Sequence, residues 1–515
     1  MEQALNRSRP ERRGGRGRAP KSAERVANYR QLRHPFTPLP LFSDDEVANM
    51  HETALKVLEE LGIKVLLDEA RDLYRAAGAI VNDDTQMVFI GREVVAAALE
   101  NAPSSFRIRS ISAERDQQYE LGTLMFMAGA GCPNATDRVR GRRPGSLRDF
   151  TETLKLQQSF DAIHMLGPSA EPQDVPPNLR HYAMMKAQLT LSDKPAFLYS
   201  RGKKQAEESF ELLKCAIGLS DEEFEQDVWT TTVINSNSPR QLDRPMSQGI
   251  IDFARAGQVS IITPFCLSGA MAPVTTAGSL TLQHAEAMAG ITLAQLARKG
   301  APVSYGGFSS NVDMKSGSPA FGTPEHVKAC LGSGQLARHI GLPWRSAAGS
   351  ASNLSDAQGA QENTMALWGA MMAGATVIIH SAGWLEGGLC FGYEKFVNDM
   401  DAIQSLAELC APTAGNDSEI GFEALSDVQP GGHFFVTQHT MDRYSTAFYP
   451  PINYELSNHG SWIAAGGKNA EERATAIWQD RLETFEPPKA CMDMEERLEP
   501  LIARMTEAGG AAPLD

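Results

Sequence analysis

A chain of 515 residues with 42% apolar and 22% charged side chains is long enough for two domains or for one large barrel with additions. Its net charge of −15 argues against nucleic acid as a main partner, because phosphate binding needs clustered Lys and Arg. Seven scattered cysteines without a CxxC pair give neither a disulfide framework nor a zinc knuckle, and no long uncharged apolar run or signal-peptide core occurs, so the reading is a cytoplasmic protein with no membrane partner.

In chain order, residues 1–34 carry ten Lys/Arg against three acids and read as a disordered basic tail, with weak RNA binding or docking to an acidic partner as the alternative. Residues 35–115 read as a small α+β cap. Its first helix opens at the capping box Ser43-Asp44-Asp45-Glu46, carries an apolar stripe through Val47, Met50, Ala54 and Leu58, and stops at Gly62. A helix at Glu69–Ala77, a strand at Met87–Ile90, a helix at Arg92–Asn101 and a strand at Phe106–Ser110 complete it. From 120 to 411 eight apolar runs alternate with eight helical stretches. The strands are expected at Leu124–Ala130, Ala162–Gly167, Pro195–Ser200, Thr230–Asn235, Val259–Phe265, Pro302–Gly307, Pro343–Ala348 and Thr376–His380. Strict βα alternation calls for a parallel sheet, and eight units favour an α/β fold of the (β/α)8 TIM-type barrel class. A doubly wound open sheet is the alternative, though no GxGxxG follows the first strand. Residues 412–515 form a C-terminal extension with helices near 469–484 and 492–507.

In such a barrel the polar residues that follow each strand meet at one mouth. Here that set is rich in carboxylates, amides and aromatics and poor in lysine, with no nucleophile–base pair. It suits the holding of a cation better than attack on a carbonyl. Each member also has a plainer reading. His380 can be a strand-end histidine bonded to backbone, and Asp356 a helix cap. Cys266 can be a small buried hydrophobe, and Phe308 and Trp384 core residues. A metal at His380 and Glu386 would make the protein a barrel lyase or hydrolase, but no HxH or HExxH spacing supports one. An amine-binding scaffold without catalysis is a third reading.

At YGGFSSNVDMKSGSPAFGTPE (305–325), SAAGSASNLSDAQGAQE (346–362) and HSAGWLEGGLCFGYEKFVNDMD (380–401) the chain resembles the trimethylamine:corrinoid methyltransferase family, from about Ser43 to the C-terminal helices. The resemblance implies a (β/α)8 barrel that moves a methyl group from an amine to the cobalt of a corrinoid carried on a separate small protein, with no permanently bound cofactor. Founding members of the family keep a pyrrolysine in the loop that corresponds here to Asp356-Ala357-Gln358, where this chain has standard residues. That departure points away from trimethylamine, the alternative substrate, and towards glycine betaine and related quaternary amines. Asp356, Gln358 and His380 are then the candidate catalytic residues. Phe308, Trp384, Tyr305 and Phe391 are candidates for the aromatic faces that hold a quaternary ammonium. Asp313 and Glu386 are candidate counter-charges, and His380, Arg345 or Asn235 could donate to a betaine carboxylate. A homo-oligomer is also expected.

Overall fold

The computed structural model of the chain describes residues 28–514, so most of the basic tail lies outside the described residues. Residues 29–412 and 451–514 form one compact unit, and residues 413–450 fall to a second, which holds the short helices Asp417–Ile420, Phe422–Asp427 and Gln438–Arg443.

The larger unit is a closed (β/α)8 barrel. Its strands are β1 (Thr123–Phe126), β2 (residues 164–166), β3 (Ala196–Phe197), β4 (Thr230–Ile234), β5 (Val259–Ile262), β6 (Val303–Gly306), β7 (Trp344–Ala347) and β8 (Val377–Ile379). β3 to β8 pair in parallel in sequence order, and β8 pairs with β1. β2 closes the ring: the His164 N–H donates to the Phe126 carbonyl, and the Leu166 N–H to the Pro195 carbonyl. Below that point Leu32–Arg33 lies antiparallel on the free edge of β1. All eight expected strand positions are occupied, each trimmed at the loop end, the second down to a single bridge between Met165 and Met127. Runs such as Thr-Thr-Thr-Val-Ile and Val-Ile-Ile are β-branched and buried on both faces, as parallel barrel strands require.

The intervening helices also form where their start signals stand. Ser146, Asp243, Thr275, Thr323 and Asp356 each accept a backbone N–H of the following first turn, and Pro245 and Pro324 occupy positions where a missing N–H costs nothing. The cap begins at the expected box, in which the Ser43 and Glu46 side chains bond each other's backbone N–H. The C-terminal helices Ala470–Glu483 and Met494–Glu507 pack on the barrel's outer helices.

The hairpin Ser105–Ile108/Gln117–Glu120 decides which end of the barrel is open. Ile108 and Tyr119 from this hairpin join Met125, Met127, Met165, Phe197, Val259, Ile261, Val377 and Ile379 in one apolar cluster that fills the lower lumen. Tyr119 seals it with a hydrogen bond to Ser304 Oγ on β6 at 2.8 Å. The other end, above the carboxyl ends of the strands, is rimmed by two small sheets. One joins Leu267–Ser268, Ser310–Val312 and Pro319–Ala320; the other joins Trp384–Leu385, Cys390–Gly392, Asn134–Thr136 and Arg143–Pro144.

Candidate active site

Above the plug lies a cavity of about 320 Å³. Its wall comes from the ends of β1 (Met127, Ala130, Gly131), β3 (Phe197, Tyr199, Ser200, Arg201), β4 (Val233, Asn235), β6 (Phe308), β7 (Arg345) and β8 (Ile379, His380), with Met246 from the helix after β4. Side-chain alternation along the strands explains the membership. In β7, Trp344 and Ser346 turn outward, Trp344 Nε1 bonding the Gly374 carbonyl and Ser346 Oγ bonding Cys330, so Arg345 turns inward. In β6 the same rule sends Ser304 inward and Tyr305 outward. Tyr305 is buried among the helices, bonded to Gln283 and His284, and does not line the cavity.

Arg345 is the deepest polar group of the cavity, only 1% exposed. Its guanidinium stands 4.8 Å from the ring centre of Phe308. Nε and Nη1 are buried without a hydrogen-bond partner, and among the described residues no carboxylate pairs with it. The titratable groups that act on it are Tyr119 and Cys330, and it acts in turn on His326 and His380, all four neutral near pH 7. Burial pushes its pKa down to about 9.

His380 stands above it at a φ of 61°, a left-handed conformation that few non-glycine residues adopt. Its Nδ1 accepts the Ala130 N–H at 3.3 Å, which leaves the ring proton on Nε2, and burial next to Arg345 holds its pKa well below 6.5. It is therefore a neutral donor. Behind it, Trp384 stacks at 4.5 Å between ring centres, and Phe308, Phe321 and Phe265 extend the aromatic wall. Trp384 fits because glycines surround it: a Cβ at Gly349 (φ 106°) would fall 2.2 Å from Cε3, and one at Gly388 2.4 Å from Cζ2.

The loops after β7 and β8 are held by groups that sequence reading did not single out. Asn363 accepts the Gly349 N–H and donates to the Ser381 carbonyl. Asp399 accepts the Gly383 N–H and pairs with Lys395, both side chains fully buried. Also unanticipated is Tyr199, which lines the cavity beneath the Arg201 guanidinium at 5.1 Å while its hydroxyl bonds the Pro168 carbonyl. The alternation of Phe197 and Tyr199 in Pro-Ala-Phe-Leu-Tyr-Ser was the available signal.

Four expected site residues are thus brought together: Arg345, His380, Phe308 and Asn235, with Trp384 directly behind. The rest stand elsewhere. Asp356 caps the helix Ala357–Met372 and faces a separate cavity with Lys395, Asn398, Tyr454 and Glu471. Gln358 is exposed and bonded to Glu362. Asp313 is exposed and closes its own turn onto Ser316, which lowers its pKa. Glu386 is held by Arg142 through both oxygens at 2.9 Å. Phe391 is buried beside Tyr393 and Phe396.

Residues 9–510 match the family profile described as trimethylamine methyltransferase (MTTB). The chain belongs to the trimethylamine methyltransferase family. Among its relatives, glycine betaine methyltransferase of Desulfitobacterium hafniense is 33% identical over 466 residues, covering 90% of this chain and 96% of the relative. Trimethylamine methyltransferase MttB of Desulfitobacterium hafniense is 26% identical over 475 residues, covering 92% and 95%. MttB of Methanosarcina barkeri is 27% identical over 485 residues, covering 91% and 96%. Of solved structures, the Methanosarcina barkeri monomethylamine methyltransferase aligns over 90% of this chain and 93% of its own, with 9% identity and a TM-score of 0.42. Like the rest of the trimethylamine methyltransferase family, the chain is a methyltransferase.

Proposed function

We propose that the protein transfers a methyl group from a quaternary amine of the glycine betaine class to the Co(I) centre of a corrinoid carried by a second protein. The observation that carries this reading is the aromatic lumen cavity, walled by Phe308, Phe197, Tyr199 and His380, with Trp384 stacked behind His380, in a chain of this family. The N–CH3 bond breaks with its electron pair left on nitrogen, giving a neutral tertiary amine, while the cobalt supplies the pair for the new bond. A quaternary nitrogen is already a good leaving group, so no protein acid or base is needed, and the neutral state of His380 fits that. What this chain's residues contribute is alignment of the N–CH3 axis with the mouth and exclusion of water below it. Aromatic faces hold the cation, at about 0.5–2 kcal/mol each.

The enzyme is proposed to act in the cytoplasm as a homo-oligomer without a cofactor of its own; among the described residues no helix is long and apolar enough to cross a membrane. Purified protein, reduced cobalamin and a panel of amines (glycine betaine, proline betaine, carnitine, trimethylamine) test the function. Methylated cobalamin and the demethylated amine should form together from a betaine. No transfer from any member of the panel would overturn the reading.

A further inference from the structure

We infer that Arg345 is the cationic half of a carboxylate site, and that it fixes the substrate with its anionic end down in the barrel and its methyl groups towards the mouth. This rests on the amine-methyltransferase reading and deepens it, because it makes the substrate a zwitterion and says which end of it the acceptor meets.

A buried guanidinium in a folded protein is almost always paired, because desolvating a charge is unfavourable unless an opposite charge or hydrogen bonds replace the water. Five arginines in the loops and helix starts at this end of the barrel are paired in that way. Arg140 and Arg143 share Asp137 and Asp149, Arg142 has Glu386, and Arg180 and Arg201 both have Glu171. Arg345 alone among these lies deep in the lumen, with two buried nitrogens unpartnered and only neutral groups around it. Those nitrogens belong to a side chain that lines the cavity, and a guanidinium fork matches a carboxylate in two parallel bonds.

Position supplies the orientation. Arg345 lies within β7, one layer above the Tyr119–Ser304 seal. Tyr199, Asn235, Phe308 and His380 lie beyond the ends of their strands, nearer the mouth. A carboxylate on Arg345 therefore leaves a trimethylammonium one methylene away among aromatic faces and below the opening. The opposite pose would place a cation against a cation. Trimethylamine and tetramethylammonium have nothing to offer this group.

Calorimetric titration separates the two halves of the substrate. Glycine betaine, its uncharged-carbon isostere 3,3-dimethylbutanoate and tetramethylammonium are titrated into wild type, Arg345→Met and Arg345→Lys. Wild type is expected to bind glycine betaine and dimethylbutanoate. Arg345→Met should weaken both by at least about 30-fold while leaving tetramethylammonium within about threefold, since losing one member of a desolvated charge pair is costly. Arg345→Lys, which keeps the charge and loses the fork, should fall between. Without ligand the Met variant should melt at or above the wild-type temperature, where a merely structural arginine would lower it. Glycine betaine bound equally by wild type and both variants, or dimethylbutanoate not bound by wild type that binds glycine betaine, overturns the inference. If Arg345→Met does not fold, the Lys variant alone decides. Arginine-dependent carboxylate binding without methyl transfer would sink the proposed reaction and leave this site standing; methyl transfer indifferent to Arg345 would do the reverse.

Discussion

The imidazole of His380 lies against the indole of Trp384 with ring centres 4.5 Å apart and planes 20° from parallel. Trp384 is 4% exposed and does not itself line the cavity, so any effect of it on an amine in the proposed site would pass through the ring it supports. Phe308 touches the cavity directly. Trp384→Ala should therefore cost stability, about 3–5 kcal/mol for a buried aromatic, as well as affinity. Phe308→Leu keeps the volume and removes the aromatic face, so amine affinity should fall roughly 2–30-fold with a small change in melting temperature. Thermal melts beside amine titrations separate the two outcomes; equal affinity in Phe308→Leu and wild type would remove Phe308 from the site.

Gly349 takes a φ of 106° and faces the indole with no room for a methyl group. Gly349→Ala is expected to displace Trp384 and to lose more than about 2 kcal/mol of stability through strain and overpacking together. Near-UV circular dichroism, which reads tryptophan packing, should change in the variant. An unchanged spectrum with full stability contradicts the packing described.

Lys395 and Asp399 form a buried pair one helical turn apart, and Asp399 also holds the Gly383 N–H of the loop that carries Trp384. Lys395→Met leaves a buried carboxylate without its cation and should cost about 3–5 kcal/mol. Lys395→Met with Asp399→Asn, which removes the charge and keeps a carbonyl oxygen for Gly383, should recover a good part of that. Urea unfolding of both variants measures the coupling.

His164, His284, His326 and His380 are buried and neutral, their pKa values held down to about 3 for His164, about 4 for His326 and well below 6.5 for the other two. A depressed histidine pKa means that the unfolded chain takes up a proton below its own pKa of about 6.5 while the folded chain does not, so stability is constant above that pH and falls below it. Each should cost about 1 kcal/mol between pH 6.5 and 5.5. Asp252, whose carboxyl burial pushes up to about 6, works the other way over the same range and offsets part of one. Together these five groups should take away about 3 kcal/mol between pH 6.5 and 5.5, read from urea midpoints of wild type against His-to-Gln variants. Flat stability over that range would mean that these rings reach solvent.

The barrel was legible because its strands are short β-branched runs closed by small flexible residues, a pattern that depends only on local sequence. The inward face of Arg345 follows from the large apolar Trp344 beside it once the strand register is known. The polar loop residues could not be sorted in the same way. Asp313 and Asp356 serve turns and helix starts a few residues away, a use that any acid in such a loop can have. Glu386 is held by Arg142, 244 residues distant in the chain, and nothing local announces that partner. The strand at Phe106–Ser110 reads as the last element of the cap, and its partner Gln117–Glu120 was not expected, since a strand's alternation does not say whose lumen its side chains fill.

The hairpin seal formed by Tyr119 and Ser304 closes the lower end of the lumen and leaves the doorway above the strand ends. If the methyl acceptor is presented at that doorway by another protein, amine and acceptor cannot come and go independently. The amine has to enter first, and the demethylated product has to wait until the acceptor protein has left. Kinetics should then be compulsory-ordered: an excess of acceptor protein inhibits by trapping the enzyme before the amine has entered, and more amine relieves that inhibition.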